Sequence, residues 1–198
     1  MIEFIEEIHQ YLVDGILVPS VTQILKNIFP TKYENVDKKI LDEKSQYGTK
    51  LHKCIEIIEK KKPKRPIAYC KKYIGINIYQ EESLKQYLKI KEQYNIKVLE
   101  SEKKVQYKGL YGGTLDIKGE VNGCKALIDI KTTYELDKEY VSWQNSYYEL
   151  ADEPVDDLYC LWLPKGHLGG LYKVDRIPKE KLLQVIEEDL WENIMKKW

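Results

Sequence analysis

The sequence predicts an α/β fold in which a helical N-terminal layer is followed by a β-sheet with helices on its flanks. Helical spacing of apolar residues dominates the chain up to about residue 95. Beyond that point, β-branched and aromatic runs separated by Gly, Asn and Pro predict strands. These runs cover residues 97–107, 112–121, 124–131, 156–163 and 168–175. With one helical pattern after the third run and another after the fifth, the order indicates a single sheet covered by helices.

The N-terminal segment predicts a β-hairpin that leads into a helix. Asp14 and Gly15 stand between two apolar runs, which is the strongest short-range hairpin signal. Ser20 and Gln23 then form a capping box, because each side chain can accept a hydrogen bond from the other residue's backbone N–H. The helix that begins here is expected to end near Phe29, before a proline.

The other predicted helices cover residues 34–59, 80–95, 137–151 and 179–196. The first of them is expected to be interrupted near Tyr47 and Gly48, since glycine weakens a helix. Residues 60–66 are rich in lysine and proline and predict an exposed basic loop.

Length and composition predict one globular domain. No repeat or linker divides the chain, so a single domain of residues 1–198 is expected, with the hairpin and helices in 1–95 and the sheet core in 96–198. Hydrophobic residues make up 43% and charged residues 32%, which argues against a disordered or membrane protein. The N-terminus is acidic where a signal peptide is basic, so a cytoplasmic protein without a membrane partner is expected. The formal net charge of zero argues against a generally basic nucleic-acid coat.

The cysteines are expected to be free, buried thiols. Cys54, Cys70, Cys124 and Cys160 are widely spaced and include no CxxC pair. The sequence therefore offers no clip for zinc or for an iron–sulfur cluster.

Two aspartates are predicted to meet in a β-hairpin. Asn122 and Gly123 form the preferred two-residue type I′ turn, which places Asp116 opposite Asp129. Directly opposed like charges destabilise a sheet, but two carboxylates aimed at one point suit a hard divalent cation. Lys131 would point into the same space. An opposed pair of acids on a solvated surface is the alternative interpretation.

The same register predicts that one face of this hairpin belongs to the core. It places Leu115 against Ile130 and Ile117 against Ile128 on the apolar face. The opposite face then carries the charged side chains of both strands.

Two helical pairs are candidates for a site on weaker grounds. His52 and Glu56 are one helical turn apart and share a face, as do Gln144 and Tyr148. A single helical histidine more often packs than binds a ligand, and a polar–aromatic pair at this spacing is typical of packing with one hydrogen bond.

In chain order these pieces resemble the RecB-like exonuclease branch of the PD-(D/E)XK nuclease superfamily. The matching motifs are Gly48-Thr49 with His52 and Glu56, Gly113 with Asp116, Asp129-Ile130-Lys131, and Gln144 with Tyr148. Each motif is common by chance, but four in this order on the expected elements are specific. The run at residues 11–25 also resembles the opening of phage-type members.

The resemblance implies a restriction-endonuclease-like core, with a central mixed β-sheet flanked by helices, and a metal-dependent DNA exonuclease. It implies that Mg²⁺ or Mn²⁺ is bound by His52, Asp116, Asp129 and the carbonyl of Ile130. Lys131 would orient or activate the attacking water.

By the same resemblance, Gln144 and Tyr148 would steady the lysine or the DNA strand, and Glu56 would support the metal site from behind. The iron–sulfur cysteines of some relatives are missing here, so no such cluster is expected. DNA is the expected partner, together with a single-strand annealing or recombination protein of phage or mobile-element type. A structure-specific or restriction-type endonuclease is one alternative, and an inert DNA-binding protein on the same scaffold is another.

Two segments of opposite charge remain. Residues 60–72 hold seven basic and no acidic side chains, and residues 149–157 hold five acidic and no basic ones. Such runs are usually solvated faces, but a basic loop beside a nuclease site could contact phosphates. The candidate DNA contacts are Lys61, Lys62, Lys64 and Arg65, with Tyr69 and Tyr73 available for base stacking.

Overall fold

A computed structural model describes residues 1–5, 8, 10–30 and 37–195, with side chains described up to Glu188. The helices of this part are α1 (Val21–Ile28), α2 (Lys38–Lys61), α3 (Pro66–Ile74), α4 (Ile78–Gln93), α5 (Lys138–Ala151) and α6 (Lys179–Met195). The strands are β1 (Ile2–Ile5), β2 (Gln10–Val13), β3 (Ile16–Val18), β4 (Lys97–Tyr107), β5 (Tyr111–Val121), β6 (Cys124–Lys131), β7 (Asp157–Trp162) and β8 (Gly170–Val174). The predicted start of a helix at Glu34 and the predicted end of the last one at residue 196 lie outside the described residues. None of the described helices has the length and apolar character needed to cross a membrane.

The protein is α/β, and its larger sheet is mixed. Five strands pair in the order β4-β5-β6-β7-β8. All neighbours are antiparallel except β6 and β7, which are parallel because α5 connects them as a crossover. This confirms the expected mixed sheet flanked by helices. Strands β4 and β6 have the predicted bounds, because turn residues mark both of their ends.

The N-terminal hairpin forms as predicted and is extended by one strand. Asp14 (φ 48°) and Gly15 (φ 83°) make the turn between β2 and β3 in the left-handed conformation that a tight hairpin needs. Ser20 and Gln23 form the predicted capping box of α1. Strand β1, which the sequence did not predict, adds to the other edge of β2 and completes a separate three-stranded sheet.

The large sheet is covered on both faces. Helices α2, α3 and α4 pack on one face, and we call their contact with the sheet the α2–α4 core; its members include Leu51, Leu84 and Ile128. Helices α1, α5 and α6 pack on the other face and form the α5 core, which includes Leu25 and Tyr147. The ends of the strands that lie between these layers are where a site can form.

The predicted break in the long helix is wrong. Helix α2 runs through Gly48 without interruption. A Cβ atom on Gly48 would lie 3.0 Å from Oγ1 of Thr132, directly after β6. The glycine therefore allows α2 to approach the end of β6 closely, although glycine lowers helix stability.

The predicted basic loop at residues 60–66 is also shorter than expected. Helix α2 extends to Lys61, and α3 begins at Pro66, which takes the first helical position that proline favours. Only residues 62–65 form a loop. Helix α3 was missed because nine residues show too little periodicity to predict a helix.

The hairpin of β5 and β6 has the predicted register, but it ends two pairs early. Pairing runs from Val121–Cys124 to Ile117–Ile128 and stops before the two aspartates. Leu115 belongs to the α5 core, whereas Ile117 belongs to the α2–α4 core. Residues two apart on a regular strand share a face, so the strand must change its facing at Asp116. The predicted contact of Leu115 with Ile130 is therefore wrong.

The cysteines are free, but one of them is not buried. Cys54, Cys70 and Cys160 lie in the interior, whereas Cys124 is exposed at the turn between β5 and β6. Its position beside a two-residue turn keeps it out of both cores.

Candidate functional site

His52 and Asp116 form the centre of the site. Helix α2 presents His52 so that Nδ1 lies 3.2 Å from Oδ1 of Asp116. Burial lowers the pKa of the His52 imidazole, but the nearby carboxylates of Asp116 and Glu102 outweigh it and raise the pKa to about 10. Burial likewise raises the pKa of Asp116, while His52, Lys131 and the N–H of Ile130 bring it below its ordinary value. The two side chains therefore stabilise each other's charged forms.

The side chain of Asp116 accepts a hydrogen bond that a backbone carbonyl would accept in a regular β-ladder. Its Oδ2 accepts a hydrogen bond of 2.6 Å from the backbone N–H of Ile130. This bond accounts for the end of regular pairing, since the side chain occupies the position of a strand neighbour. Ile130 was expected to contribute its carbonyl, and the contact that the structure shows is made by its N–H.

Asp129 is almost completely buried beside Asp116. Burial raises its pKa, Lys131 lowers it and Asp116 raises it further, with a result of about 6. The ammonium of Lys131 lies 3.0 Å from Oδ1 and 2.8 Å from Oδ2. Only the contact with Oδ1 has hydrogen-bond geometry, so Oδ2 is a buried carboxylate oxygen without a hydrogen-bond partner.

A chain of hydrogen bonds from helix α5 holds the side chain of Lys131 in place. Its ammonium donates to Oε1 of Gln144 over 2.8 Å, and Nε2 of Gln144 donates to the hydroxyl of Tyr148 over 3.0 Å. Both partners lie one turn apart on α5. Burial lowers the pKa of Lys131, but the carboxylates of Asp129 and Asp116 outweigh it and raise the pKa above its ordinary value, so the side chain is an ammonium.

Gly113 makes room for this chain. A Cβ atom at this position would lie 2.5 Å from Cε1 of Tyr148. The glycine of the motif that contains Asp116 therefore acts through packing, because it lets the tyrosine ring approach β5 closely.

Glu102 is a candidate ligand that sequence reasoning missed. It lies on β4, next to Asp116 across the sheet, with Oε1 3.8 Å from Nδ1 of His52. One ligand atom from each of His52, Glu102 and Asp116 fits within a span of 4.8 Å. Glu102 has a φ of 53°, which is uncommon for a residue with a side chain and marks a local strain in the strand. No motif surrounds it in the sequence, and only the register of β4 on β5 could have indicated it.

The site opens into a groove between α2 and the N-terminal sheet. We call this the active-site groove: a cavity of about 840 Å³ lined by residues that include Gly48, His52, Glu102 and Thr132. An adjoining cavity of about 560 Å³ reaches Asp116 and Tyr148. Phe4 of β1 lines both cavities, so the small sheet forms a wall of the site.

Glu56 lies in the same groove but bonds elsewhere. Its carboxylate accepts hydrogen bonds from Lys53 at 2.7 Å and from Lys60 at 2.9 Å. The side chain is thus held on the surface of α2, one turn from His52, by lysines of its own helix.

The basic loop stands apart from the groove. Lys61, Lys62, Lys64 and Arg65 are exposed at and beyond the C-terminal end of α2 and line neither cavity. Nine residues of helix separate His52 from Lys61, which is about 13 Å along the axis. The cations that line the cavities are Lys44, Lys53 and Lys104, and local charge density in the sequence gave no indication of them. Tyr69 and Tyr73 pack against each other with ring centres 4.4 Å apart.

The acidic segment, residues 149–157, forms ion pairs with basic side chains of the sheet and of the loop after β8. Asp152 accepts hydrogen bonds from Lys103 at 2.8 Å and Lys118 at 2.6 Å, and Glu149 binds Arg176 at 2.6 Å. The remaining acids also have partners: Glu153 binds Lys118, Asp156 accepts from the N–H of Lys125, and Asp157 binds Lys173. The segment therefore fastens the end of α5 to the sheet.

Comparison with known proteins does not assign a family to the chain. Neither a protein-family model nor a curated protein matches the chain. One similar solved structure is the crystal structure of SSO0001, which is 14% identical over 72% of this chain and 73% of its own, with a TM-score of 0.37. A likeness this distant carries no argument about function, so the assignment depends on the side chains themselves.

Proposed function

We propose that this protein is a metal-dependent DNA exonuclease with a restriction-endonuclease-like core. One observation supports the proposal above all: the ammonium of Lys131 lies within 3.0 Å of both carboxylate oxygens of Asp129 and is held in place by Gln144, beside the pair of His52 and Asp116. The acids come from neighbouring strands of a mixed sheet, and the lysine follows the second acid by two residues. These are the features that the sequence motifs share with the RecB-like branch.

The donor set fits a hard divalent cation. His52, Glu102 and Asp116 offer one imidazole and two carboxylates to a single ion, and the carboxylate of Asp129 lies outside this group, bound to Lys131. Carboxylate oxygens favour Mg²⁺ and Mn²⁺, and the imidazole makes Mn²⁺ the better first choice for a binding experiment.

Each group has a role in phosphodiester hydrolysis. When bound, the cation would supply Lewis-acid stabilisation of the phosphoryl oxygens and lower the pKa of a water molecule. Lys131 donates an ammonium N–H toward the same oxygens, and its charge opposes the negative charge that develops there. Gln144, which in turn donates to Tyr148, gives the ammonium of Lys131 a second hydrogen-bond acceptor besides Asp129.

The proposal is tested by cleavage of matched DNA substrates. We expect the purified chain with Mn²⁺ to degrade linear DNA and to leave a covalently closed circle intact. Asp129→Asn should abolish the activity, and Asp175→Asn, which changes an exposed aspartate after β8, should preserve it. Cleavage of the closed circle would identify an endonuclease. DNA binding without any cleavage, unchanged in Asp129→Asn, would identify an inert binding protein and contradict the proposal.

A further inference from the structure

A second, smaller cavity adjoins the active-site groove. We call it the Tyr134 pocket; it has a volume of about 310 Å³ and lies between the start of α2, the loop after β6 and the loop between β7 and β8. Its lining includes Lys44, Tyr47, Thr132, Tyr134, Lys165 and His167, together with one acid, Glu43. This volume is at the low end for ligand pockets, roughly 300–1,000 Å³, and suits one flat group.

One aromatic side chain of the pocket, Tyr134, is strongly exposed, whereas Tyr47 is buried at its wall. Tyr134 is 66% exposed, and its ring meets the ring of His167 edge-on at 5.5 Å. Leu168, next in the chain, is 85% exposed. Several large apolar groups in one place on a surface mark a binding site more often than a scattered exposed residue does.

Cations accompany these rings. The ammonium of Lys165 lies 5.0 Å from the ring centre of Tyr79 and 6.0 Å from that of Tyr47. Lys44 of α2 also lines the pocket. Aromatic faces combined with lysines are the two components that hold single-stranded nucleic acid, one for the bases and one for the backbone.

The pocket continues directly from the candidate catalytic residues. Thr132 and Lys44 line both the Tyr134 pocket and the active-site groove. Thr132 follows Lys131 in the chain, so the pocket is next in sequence to the candidate catalytic lysine.

We propose that the Tyr134 pocket holds one base of a single DNA strand, stacked on Tyr134 beside the scissile phosphate. This inference depends on the proposed nuclease function and adds to it a substrate class, a strand that is unpaired at the point of cleavage. Lys165 and Lys44 contact the flanking phosphates. A duplex is too wide for a pocket of this volume.

Binding of 2-aminopurine oligonucleotides in the presence of a chelator tests the inference without cleavage. We expect the fluorescent base to be quenched by stacking, and Tyr134→Ala to restore its fluorescence and weaken binding by about fivefold or more. Tyr134→Phe should retain both properties, because it keeps the ring. Leu99→Ala removes an equally exposed side chain on β4 and should leave both unchanged. An oligonucleotide with an abasic site at the stacked position should bind the chain and Tyr134→Ala equally.

The outcomes separate this inference from the nuclease proposal. If Tyr134→Ala binds like Leu99→Ala while the chain still degrades DNA with Mn²⁺, the stacking site is wrong and the nuclease assignment survives. If Tyr134→Ala instead lowers the molecular mass in solution and leaves DNA binding unchanged, the pocket is a surface for a second copy of the chain, which also overturns the inference. A chain that neither binds nor cleaves DNA overturns both.

Discussion

At the scale of single residues, Glu102 offers a sharp test of the candidate metal site. Glu102→Gln keeps the shape of the side chain and removes the charge that faces His52. We expect affinity for Mn²⁺, measured by calorimetry, to fall by about tenfold or more. Glu100→Gln is the matched control, because Glu100 lies two residues away on β4 and binds Lys103 instead. Equal affinities for the two variants would exclude Glu102 from the site.

The hydrogen bonds of Gln144 predict a different signature. Gln144→Met preserves the length of the side chain but removes the acceptor for Lys131 and the donor to Tyr148. We expect kcat to fall by about a hundredfold through misplacement of the lysine, with Mn²⁺ affinity unchanged. Gln184→Met, which alters an exposed glutamine of α6, serves as the control. A loss of Mn²⁺ affinity in Gln144→Met that accounted for the lost activity would contradict a positioning role.

The sequence predicted these residues unequally, for physical reasons. Asp116 and Asp129 could be found because a two-residue turn sets the register of a hairpin, and a register determines which side chains meet. Glu102 could not, since its position depends on a left-handed backbone conformation that a glutamate rarely adopts. The end of regular pairing at Asp116 was missed as well, because a side chain takes the place of a backbone partner there.

At the scale of elements, glycines decide how closely helices approach strands. Gly113→Ala places a methyl group 2.5 Å from the ring of Tyr148, so the ring must move. We expect a loss of about 1–3 kcal/mol in the free energy of unfolding, together with lower activity. Gly48→Ala meets only a hydroxyl at 3.0 Å and gains helix propensity, so it should cost less. Urea denaturation measures both variants, and the opposite ranking would contradict this account of the two glycines.

Element bounds followed the same logic. Strands bounded by turn residues were predicted correctly because turns depend on local backbone preferences. The predicted break in α2 was wrong because Gly48 makes room for Thr132, a residue more than eighty positions away in the chain. Long-range contacts of this kind leave no local pattern in the sequence.

At the scale of the whole molecule, the acidic segment predicts how stability depends on pH. Burial raises the pKa of Asp152, but hydrogen bonds from Lys103 and Lys118 bring it below the ordinary value of 3.8. A carboxylate with a lower pKa in the folded state stabilises the fold above its unfolded pKa, and the contribution disappears as pH falls through the folded pKa. Asp152→Asn should therefore cost about 1–3 kcal/mol at pH 7 and flatten the loss of stability below pH 4.

Urea denaturation of this variant between pH 7 and pH 3 provides the measurement. Asp175→Asn, at an exposed position, should leave the curve unchanged. A difference between Asp152→Asn and the unsubstituted chain that stayed constant below pH 4 would show that the ion pairs add nothing to the acid response.

The distribution of charge over the molecule predicts that two sets of cations contact DNA, one beside the site and one farther along α2. Lys104 lines the cavity at Asp116, whereas the loop cations Lys61, Lys62, Lys64 and Arg65 stand about 13 Å or more along α2 from His52. At about 3.4 Å per nucleotide along one strand of a duplex, that distance is close to four nucleotides. Lys104→Ala should therefore weaken binding of every oligonucleotide, while alanine at the four loop positions should weaken only those that extend beyond four nucleotides.

Salt titration distinguishes the two sets. Each phosphate contact that is lost should reduce the slope of log affinity against log salt by about 0.7 to 0.9. For the loop variant we expect this reduction with long duplexes only, because short ones end before the loop. A loop variant that binds long duplexes with an unchanged slope would limit the DNA surface to the lysines of the groove.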